Sequence, residues 1–246
     1  MTPNPEPRTL NDRSGVLYIV ATPIGNLKDF TLRAIETLKA VDLIACEDTR
    51  HAGILLKAHG IQTPTTSYHS YTTHAKTNRL LEQLQEGKHI ALISDAGMPG
   101  ISDPGTAIIQ HALRAGIQVE IIPGASASLV GLVLSGFSTD RFVFEGFLPV
   151  KPGARRKRLE TLKEEPRTVV LYEAPHRLLK ILGDIHDVLG DIELSVSREL
   201  TKVFEETRRD RVSRLRAHFT QRQPKGEFVV VLPPKRLRGH DESDSS

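Results

Sequence analysis

Short apolar runs that contain β-branched residues alternate with amphipathic stretches along the first half of the chain. The runs lie at Val16–Val20, Leu43–Cys46, Ile90–Ile93 and 119–122. Between them, apolar residues recur at helical spacing near residues 30–41, 55–59, 78–85 and 105–115. Asp103, followed by Pro104, has the pattern of a helix N-cap with proline in the first turn. Strands that alternate with helices in this way predict a mostly parallel sheet covered on both faces.

The second half of the chain predicts another α/β unit. Its expected strands are Phe142–Phe147, 168–172, Glu193–Arg198, 203–208 and Phe228–Leu232, with helices at 154–163, 176–189 and 211–220. Ser, Gly and Asp interrupt the pattern near 135–140. We therefore expect an N-terminal α/β domain over residues 15–136 and a C-terminal α/β domain over residues 137–233. The polar ends, 1–14 and 234–246, are expected to be disordered tails.

Length and cysteine content narrow the class of protein. A chain of 246 residues can bury a core without disulfides or metal. Its single cysteine, Cys46, excludes a disulfide framework and a cysteine-based zinc site, and fits a reducing compartment. No apolar run approaches the roughly 18 residues of a membrane span, and the N-terminus lacks the apolar region of a secretory signal. We expect a cytoplasmic protein without a membrane partner.

The charge of the chain is unevenly distributed. The net charge of +3 is too small to identify a nucleic-acid partner, but residues 1–137 carry −1 and residues 138–246 carry +4. The stretch 151–180 has 9 basic and 4 acidic residues, with its densest run at residues 155–158. This run is either a solvated helix face or a patch that contacts phosphates.

The polar loops that follow the expected strands are the candidate ligand sites. In open α/β sheets, ligands bind at the carboxyl ends of the parallel strands. The Gly-x-Gly-x-x-Gly turn, the P-loop, the Gly-x-Ser-x-Gly elbow and the His-Glu-x-x-His motif are all absent from the sequence. The ten histidines show no metal-ligand spacing, so we expect no metal site.

Several of these loops carry groups that suit chemistry. The glycine- and proline-rich loop 94–105 and the small residues at 123–128 either receive a ligand or make tight connections. Residues 47–51 (EDTRH) place two carboxylates, a guanidinium and an imidazole at one strand end, which favours a functional site. Residues 172–177 (YEAPHR) repeat this theme, and residues 198–202 (RELTK) are either a surface ion-pair cluster or part of a site.

Taken in order, these motifs resemble the ribosomal RNA small subunit methyltransferase I family, within the tetrapyrrole methylase superfamily. The resemblance covers about residues 16–232. Its motifs are 21–27 (ATPIGNL), 47–50 (EDTR), 94–105, 122–127 (IPGASA), 145–149 (EGFLP), 172–177, 198–202 and 226–228 (GEF). The chain departs from the family pattern at 70–78, at Met98 and at Arg209-Asp210, and no substrate role is carried over to 70–78.

The resemblance implies two α/β domains of the tetrapyrrole methylase type, with S-adenosylmethionine in the inter-domain cleft and commonly a homodimer. It implies 2′-O-methylation of a cytidine ribose in the decoding region of 16S rRNA. The cofactor-binding residues that it implies are Pro23, Asp95, Ala96, Gly97, Ile101, Ser126, Ala127, Tyr172 and Leu200.

The reaction suggests further roles for charged residues. Methyl transfer to a hydroxyl is an in-line displacement from a sulfonium carbon, and it leaves a neutral sulfur without help from a metal. A base assists because a hydroxyl is a weak nucleophile, and alignment contributes as well. Our hypothesis is that Glu47 or Asp48 orients or deprotonates the hydroxyl, while Lys202 completes the catalytic set. The expected substrate-binding residues are Arg50, His51, Arg155, Arg156, Glu173 and Arg177.

The expected partner is 16S rRNA, within an assembled 30S subunit. The chain has no Trp and only 5% aromatic residues, so extensive base-stacking platforms are not expected. Two alternatives stay open at this point: a small-molecule methylase that acts on a tetrapyrrole, and a non-enzymatic RNA-binding ribosome factor.

Overall fold

The computed structural model describes residues 14–69, 74–103 and 105–235. The chain divides into two compact units after Ala125. Most of the two expected tails, Pro104 and residues 70–73 lie outside the described residues.

The described part of the first unit is a parallel sheet with helices on both faces. Its strands are β1 (Val16–Val20), β2 (Leu43–Cys46), β3 (Thr65–Ser67), β4 (Ile90–Ile93) and β5 (Gln118–Ile122), and its helices are α1 (Leu32–Ala40), α2 (Thr49–Ala58), α3 (His74–Gln85) and α4 (Thr106–Arg114). The strand order is β3-β2-β4-β1-β5, with every neighbouring pair parallel. Two apolar clusters fill the two faces because successive strand residues point in opposite directions. Ile93 joins Leu38 and Leu56 in one cluster, while Leu92 joins Leu84 and Ile108 in the other.

The start of α4 differs from the prediction. Gly105, with φ +128°, is the N-cap, so the expectation of an N-cap at Asp103 is wrong. A Cβ on residue 105 would lie 2.7 Å from Cδ2 of Leu92, and the backbone conformation also favours glycine. The loop after β4 therefore closes tightly over the buried sheet.

The second unit begins with a helix that the sequence placed in the first domain. Its described elements are α5 (Ala127–Ser135), β6 (Phe142–Phe147), α6 (Pro152–Leu162), β7 (Thr168–Glu173), α7 (Leu178–Leu189), β8 (Glu193–Arg198), β9 (Glu206–Arg211), α8 (Val212–Gln221) and β10 (Phe228–Leu232). α5 lies against the second sheet, where a Cβ on Gly131 would lie 2.6 Å from Cγ1 of Val229. This packing is why the structure divides after Ala125, whereas the sequence-based boundary falls after residue 136.

The second sheet is mixed. Its order is β6-β7-β10-β8-β9, and among these neighbours only β6 and β7 run parallel. Its main apolar cluster joins one face of the sheet to α6, α7 and α8. The strand expected at 203–208 runs instead over Glu206–Arg211, because Val203 and Phe204 lie in the preceding loop. The prediction of two α/β domains is confirmed.

Candidate active site

The loops after β1 and β4 are tied together at the carboxyl edge of the first sheet. The backbone N–H of Thr22 donates to the carbonyl of Gly97 at 2.9 Å, and the N–H of Gly97 donates back to Thr22 at 3.1 Å. The hydroxyl of Ser94 donates to the same Gly97 carbonyl at 3.0 Å. Gly97 has φ +81°, a backbone region that favours glycine. These bonds place Pro23 beside the predicted cofactor segment Asp95 to Gly97.

Asp95 keeps one unused acceptor in this loop. Its Oδ1 atom is buried and has no hydrogen-bond partner among the described residues. A buried carboxylate oxygen without a partner is costly, so a donor from a ligand would satisfy it. Ala96 is half-buried beside it, and the side chain of Ile101 is exposed along the same loop. An amine or a ribose hydroxyl fits this acceptor, which agrees with a nucleoside cofactor such as S-adenosylmethionine.

Glu47 follows β2 at the same edge and holds a perturbed carboxyl group. Burial raises the pKa of Glu47, the negative charge of Asp95 raises it further, and His69 partly opposes both. A cavity of about 570 Å³ opens beside it and is lined by residues that include Glu47, Tyr68, His69, Asp103 and Thr106. A carboxyl group with a raised pKa beside a cavity is better able to accept a proton near neutral pH.

Asp48 has a different role from its neighbour. It is the N-cap of α2, where its Oδ1 accepts the backbone N–H of Arg50 at 2.8 Å. Its Oδ2 also accepts from Nη2 of Arg50 at 3.0 Å. The hydrogen bonds from Arg50 lower the pKa of Asp48 to about 2, so it is a weak base. Of the two catalytic candidates after β2, the structure favours Glu47; Arg50 and His51 lie exposed on α2.

The second unit brings three predicted cofactor residues together at the start of α5. The N–H of Ser128 donates to the hydroxyl of Tyr172 at 3.1 Å, and the hydroxyls of Ser126 and Ser128 are 3.0 Å apart. Ala127 is the first residue of the helix, directly after Ser126. The Tyr172 ring also contacts Phe144 and Phe147, with centroid distances of 5.0 and 5.9 Å. Tyr172 is therefore fixed at both its ring and its hydroxyl.

Leu200 and Lys202 lie in the loop between β8 and β9. Leu200 is buried, and its neighbours Glu199 and Thr201 have φ of +49° and +66°. The Lys202 ammonium donates to Oε1 of Glu199 at 3.0 Å and to Oε2 of Glu227 at 3.1 Å. Burial alone would lower the pKa of Lys202, but the two carboxylates outweigh it and raise the pKa above its ordinary value. Lys202 is thus a fixed cation rather than a base.

Three of the predicted substrate-binding residues serve inside the second unit instead. Arg155 is only 6% exposed, and its Nε donates to Asp184 at 2.6 Å. Glu173 and Arg177 pair with each other at 3.1 Å, and Nη2 of Arg177 donates to the carbonyl of Leu148 at 2.7 Å. Arg155, Glu173 and Arg177 are thus buried or held within the unit, which does not favour a substrate contact; that they bind the substrate stays a prediction of the sequence.

Two further arginines of that run are also paired. Arg156 donates to Asp184 at 2.7 Å and to Asp187 at 2.9 Å, and Arg158 donates to both oxygens of Glu145. Their positive charges are therefore largely matched by carboxylates. Sequence reasoning missed this because Asp184 is separated from the arginines by the whole of β7.

Neither a metal cluster nor a membrane-spanning helix occurs in the described part of the chain. Within residues 14–69, 74–103 and 105–235, no group of three or more His, Cys, Asp or Glu side chains could hold a metal ion. None of the helices formed by those residues is long and apolar enough to cross a membrane.

The chain is similar to known proteins over most of its length. Residues 16–216 match the family model described as Tetrapyrrole (Corrin/Porphyrin) Methylases. The chain is 53% identical to ribosomal RNA small subunit methyltransferase I of Synechocystis. The alignment spans 219 residues, which are 89% of this chain and 78% of the relative. It is 46% identical over 221 residues to the protein of the same name from Thermotoga maritima, covering 90% and 99% of the two chains.

Solved structures share the fold at low identity. A diphthine synthase aligns with a TM-score of 0.70 and 17% identity, covering 92% of each chain. A cobalt precorrin-4 methyltransferase aligns with a TM-score of 0.66 and 18% identity, covering 88% of this chain and 94% of the other. At such identities the likeness concerns the fold alone.

Proposed function

Because the chain belongs to the ribosomal RNA small subunit methyltransferase I family of tetrapyrrole methylases, we propose that it methylates the ribose 2′-hydroxyl of a cytidine in the decoding region of 16S rRNA. Family membership makes the chain a methyltransferase that uses S-adenosylmethionine. The nucleotide, the atom that is methylated and the residue roles below are our proposal.

The position of Glu47 directly after β2, in the lining of a cavity and with a pKa raised by burial, carries the catalytic part of the proposal. When bound, the cofactor supplies an electrophilic methyl carbon. Glu47 would hold the reacting hydroxyl and would take up its proton as the oxygen becomes methylated. Asp48 does not compete for this proton, because Arg50 holds it ionised.

Cofactor binding is assigned to residues of both units. In the first unit, Pro23 and residues 95–97 lie in two loops tied together by the Thr22–Gly97 bridge, with the unused acceptor on Asp95. In the second unit, Ser126, Ala127 and Tyr172 are held together by the Ser128–Tyr172 hydrogen bond. Ile101 and Leu200 supply apolar side chains. That the cofactor lies in a cleft between the domains stays a prediction of the sequence.

Lys202 contributes a positioned cation. Two of its three N–H donors bind Glu199 and Glu227, which leaves one for an oxygen of the substrate. We expect this donor to bind a ribose or phosphate oxygen near the reacting hydroxyl. Arg50 and His51, exposed at the start of α2, are proposed to contact the rRNA.

We further propose that the substrate is the 30S subunit, that the enzyme acts in the cytoplasm and that it is a homodimer. Methyl-labelled S-adenosylmethionine, incubated with the protein and either 30S subunits or a precorrin, tests the choice of substrate. Label in rRNA supports the proposal, and label in the precorrin would favour tetrapyrrole methylation instead. Absence of cofactor binding in calorimetry would favour a non-enzymatic RNA-binding factor.

A further inference from the structure

Two large apolar side chains are exposed to solvent at the tip of the loop between β8 and β9. Val203 is 93% exposed and Phe204 is 71% exposed. The two residues read as part of a strand in the sequence, but β9 begins only at Glu206. We call this feature the 203–204 tip.

Three hydrogen bonds hold the loop behind the tip. The N–H of Lys202 donates to the carbonyl of Glu199 at 3.0 Å, and the N–H of Glu205 donates to the carbonyl of Lys202 at 3.1 Å. The N–H of Thr201 donates to the carboxylate of Glu205 at 2.5 Å. Glu199 and Thr201 hold positive φ, which surrounding contacts must impose on residues other than glycine. The exposure of Phe204 is therefore built in, and a partner that binds it need not order the loop first.

The chain that leaves the tip is the most basic part of the second unit. Residues 207–225 contain seven Lys and Arg but one acidic residue, Asp210. β9 is an edge strand, and its side chains alternate between the two faces of the sheet. Arg208 points to the face that carries α8, because it pairs with Val196 of the main apolar cluster.

An open groove of about 340 Å³ lies between β9 and α8. It is lined by residues that include Thr207, Arg208, Asp210, Arg214 and His218. Arg208 binds Glu206 at 2.7 Å, and Arg214, with a side chain that is 75% exposed, lies 3.6 Å from Asp210. Farther along, Arg216, Arg222 and Lys225 are exposed. The lining of the groove thus holds three arginines against two carboxylates, Glu206 and Asp210, and keeps a small positive excess.

We propose that the 203–204 tip and this groove dock a single strand of the rRNA substrate, with a base stacked on Phe204 and phosphates on Arg208 and Arg214. This inference rests on the proposed function, because it assigns the binding surface for the same substrate. An aromatic face beside a basic groove is the usual means of holding a single strand without reading its sequence. Guanidinium groups suit phosphate oxygens because their N–H donors form a planar fork.

A strand of RNA fits this surface better than an anionic membrane does. Four carboxylates belong to the loop that carries the tip or contact it: Glu205 binds Thr201, Glu199 and Glu227 bind Lys202, and Glu206 begins β9. An anionic lipid surface that received the tip would bring its charge against them. A stacked base is neutral, and its flanking phosphates can lie in the arginine groove several residues away.

The test measures the affinity of the full-length protein for 30S subunits from cells that lack it. Phe204→Ala should weaken binding roughly 5- to 150-fold, the range for the removal of one stacked base, while Phe204→Tyr should stay close to wild type. The double variant Arg208→Gln/Arg214→Gln should lower the slope of log affinity against log salt by about 0.7 for each phosphate that it no longer neutralises. Arg167→Gln, which removes an exposed arginine paired with Glu165, should leave the slope unchanged.

Calorimetry with S-adenosylmethionine and sedimentation of each variant accompany the affinity measurements. Unchanged cofactor affinity and unchanged mass, together with weakened 30S binding, support the inference. Wild-type affinity of Phe204→Ala, a fall in mass that accounts for its weaker binding, or binding of the tip to anionic vesicles would overturn it. If the wild-type protein methylates 30S subunits, these contradicting results reject the docking surface and leave the proposed function intact. If the wild-type protein neither binds nor methylates rRNA, the proposed function itself is rejected.

Discussion

Arg155 of α6 and Asp184 of α7 form a buried ion pair in which Nε and Nη2 of the arginine each lie 2.6 Å from Oδ2 of the aspartate. The same arginine donates through Nη1 to the carbonyl of Val150 at 2.9 Å. Its positive charge therefore joins two helices to the loop after β6. The sequence suggested that Arg155 binds phosphate, but in the structure it stabilises the packing of the second unit.

Replacing Asp184 with asparagine should strongly destabilise the protein. The change leaves the Arg155 guanidinium buried without its counter-ion, which costs about 3–5 kcal/mol of unfolding free energy. Urea denaturation measures this decrease. Arg167→Gln is the control, since the Arg167 side chain is 41% exposed and its ion pair with Glu165 should contribute less than the buried pair. Equal stability of Asp184→Asn and wild type would show that the pair does not hold the helices together.

The same pair should make the stability of the protein fall in acid. Burial would raise the pKa of Asp184, but hydrogen bonds from Arg156 and Arg155 outweigh it and lower the pKa below 3.8. The folded state therefore favours the ionised carboxylate, and this stabilisation is fully present above the unfolded pKa. It should disappear as the pH falls through the folded pKa. Unfolding free energies of wild type and Asp184→Asn, measured from pH 7 downward, should converge at low pH; parallel curves would contradict this account.

Glu47→Gln should lower kcat far more than Asp48→Asn. Removal of a general base typically costs about 10²- to 10⁴-fold. Asparagine at position 48 can still cap α2, and Asp48 is a weak base because its pKa is about 2. Single-turnover methylation with saturating cofactor measures both rates.

The pH profile separates proton transfer from simple binding by Glu47. In the wild type, kcat should rise with pH as Glu47 ionises, with its midpoint above the ordinary pKa of glutamate. The Glu47→Gln variant should lack this limb. The same rise of kcat with pH in both proteins would show that Glu47 is not the base.

Gly226→Ala should reduce activity through the position of Lys202. The carboxylate of Glu199 occupies the space that a Cβ on residue 226 would need, and that carboxylate holds the Lys202 ammonium at 3.0 Å. Displacing Glu199 should therefore lower kcat while cofactor affinity stays close to wild type.

Gly190→Ala is a matched control for this change. Gly190 has φ +85°, against +84° at Gly226, but a Cβ there would meet nothing within 4 Å. Both variants should be destabilised because a side chain at positive φ is strained, Gly190→Ala the more because its ψ of −173° lies in a region that only glycine adopts readily. Only Gly226→Ala should lose activity. Equal kcat in the two variants would show that the position of Lys202 does not affect the reaction.

Asp95→Ala should weaken cofactor binding because it removes the buried acceptor Oδ1. A charge-assisted hydrogen bond contributes about 1.5–3 kcal/mol, so we expect a roughly 10- to 100-fold higher Kd in calorimetry. Asp95→Asn keeps a neutral acceptor and should fall between the two. Unchanged affinity of Asp95→Ala would exclude this carboxylate from the cofactor site.

The sequence predicted those elements whose apolar pattern is local. β1, β2, β4, β6, β8 and β10 have the expected bounds, and all of these strands except β6 are largely buried. β3 was missed because Thr65–Ser67 is polar and pairs only with β2 at the edge of the sheet. The start of β9 was misplaced because Val203 and Phe204 are apolar yet exposed.

The candidate site was predictable as a set of loops but not as a set of roles. The sequence placed Thr22, Glu47 and Asp95 after three expected strands, and they lie at one edge of the sheet because the carboxyl ends of parallel strands meet there. Nothing local distinguishes Glu47 from Asp48; the difference arises from the capping bond to Arg50 and the charge of Asp95. The role of Arg155 depends on Asp184 in another helix, a contact that only tertiary structure reveals.

The most direct test of the proposed reaction is mass spectrometry of 16S rRNA nucleosides after incubation with this protein. The substrate is 30S subunits from cells that lack the enzyme, with methyl-labelled S-adenosylmethionine as the donor. We predict label in a 2′-O-methylcytidine of the decoding region, formed far more slowly with Glu47→Gln and at close to the wild-type rate with Asp48→Asn. Label on a base, on a nucleotide outside the decoding region or on no nucleoside of the 16S rRNA would contradict it.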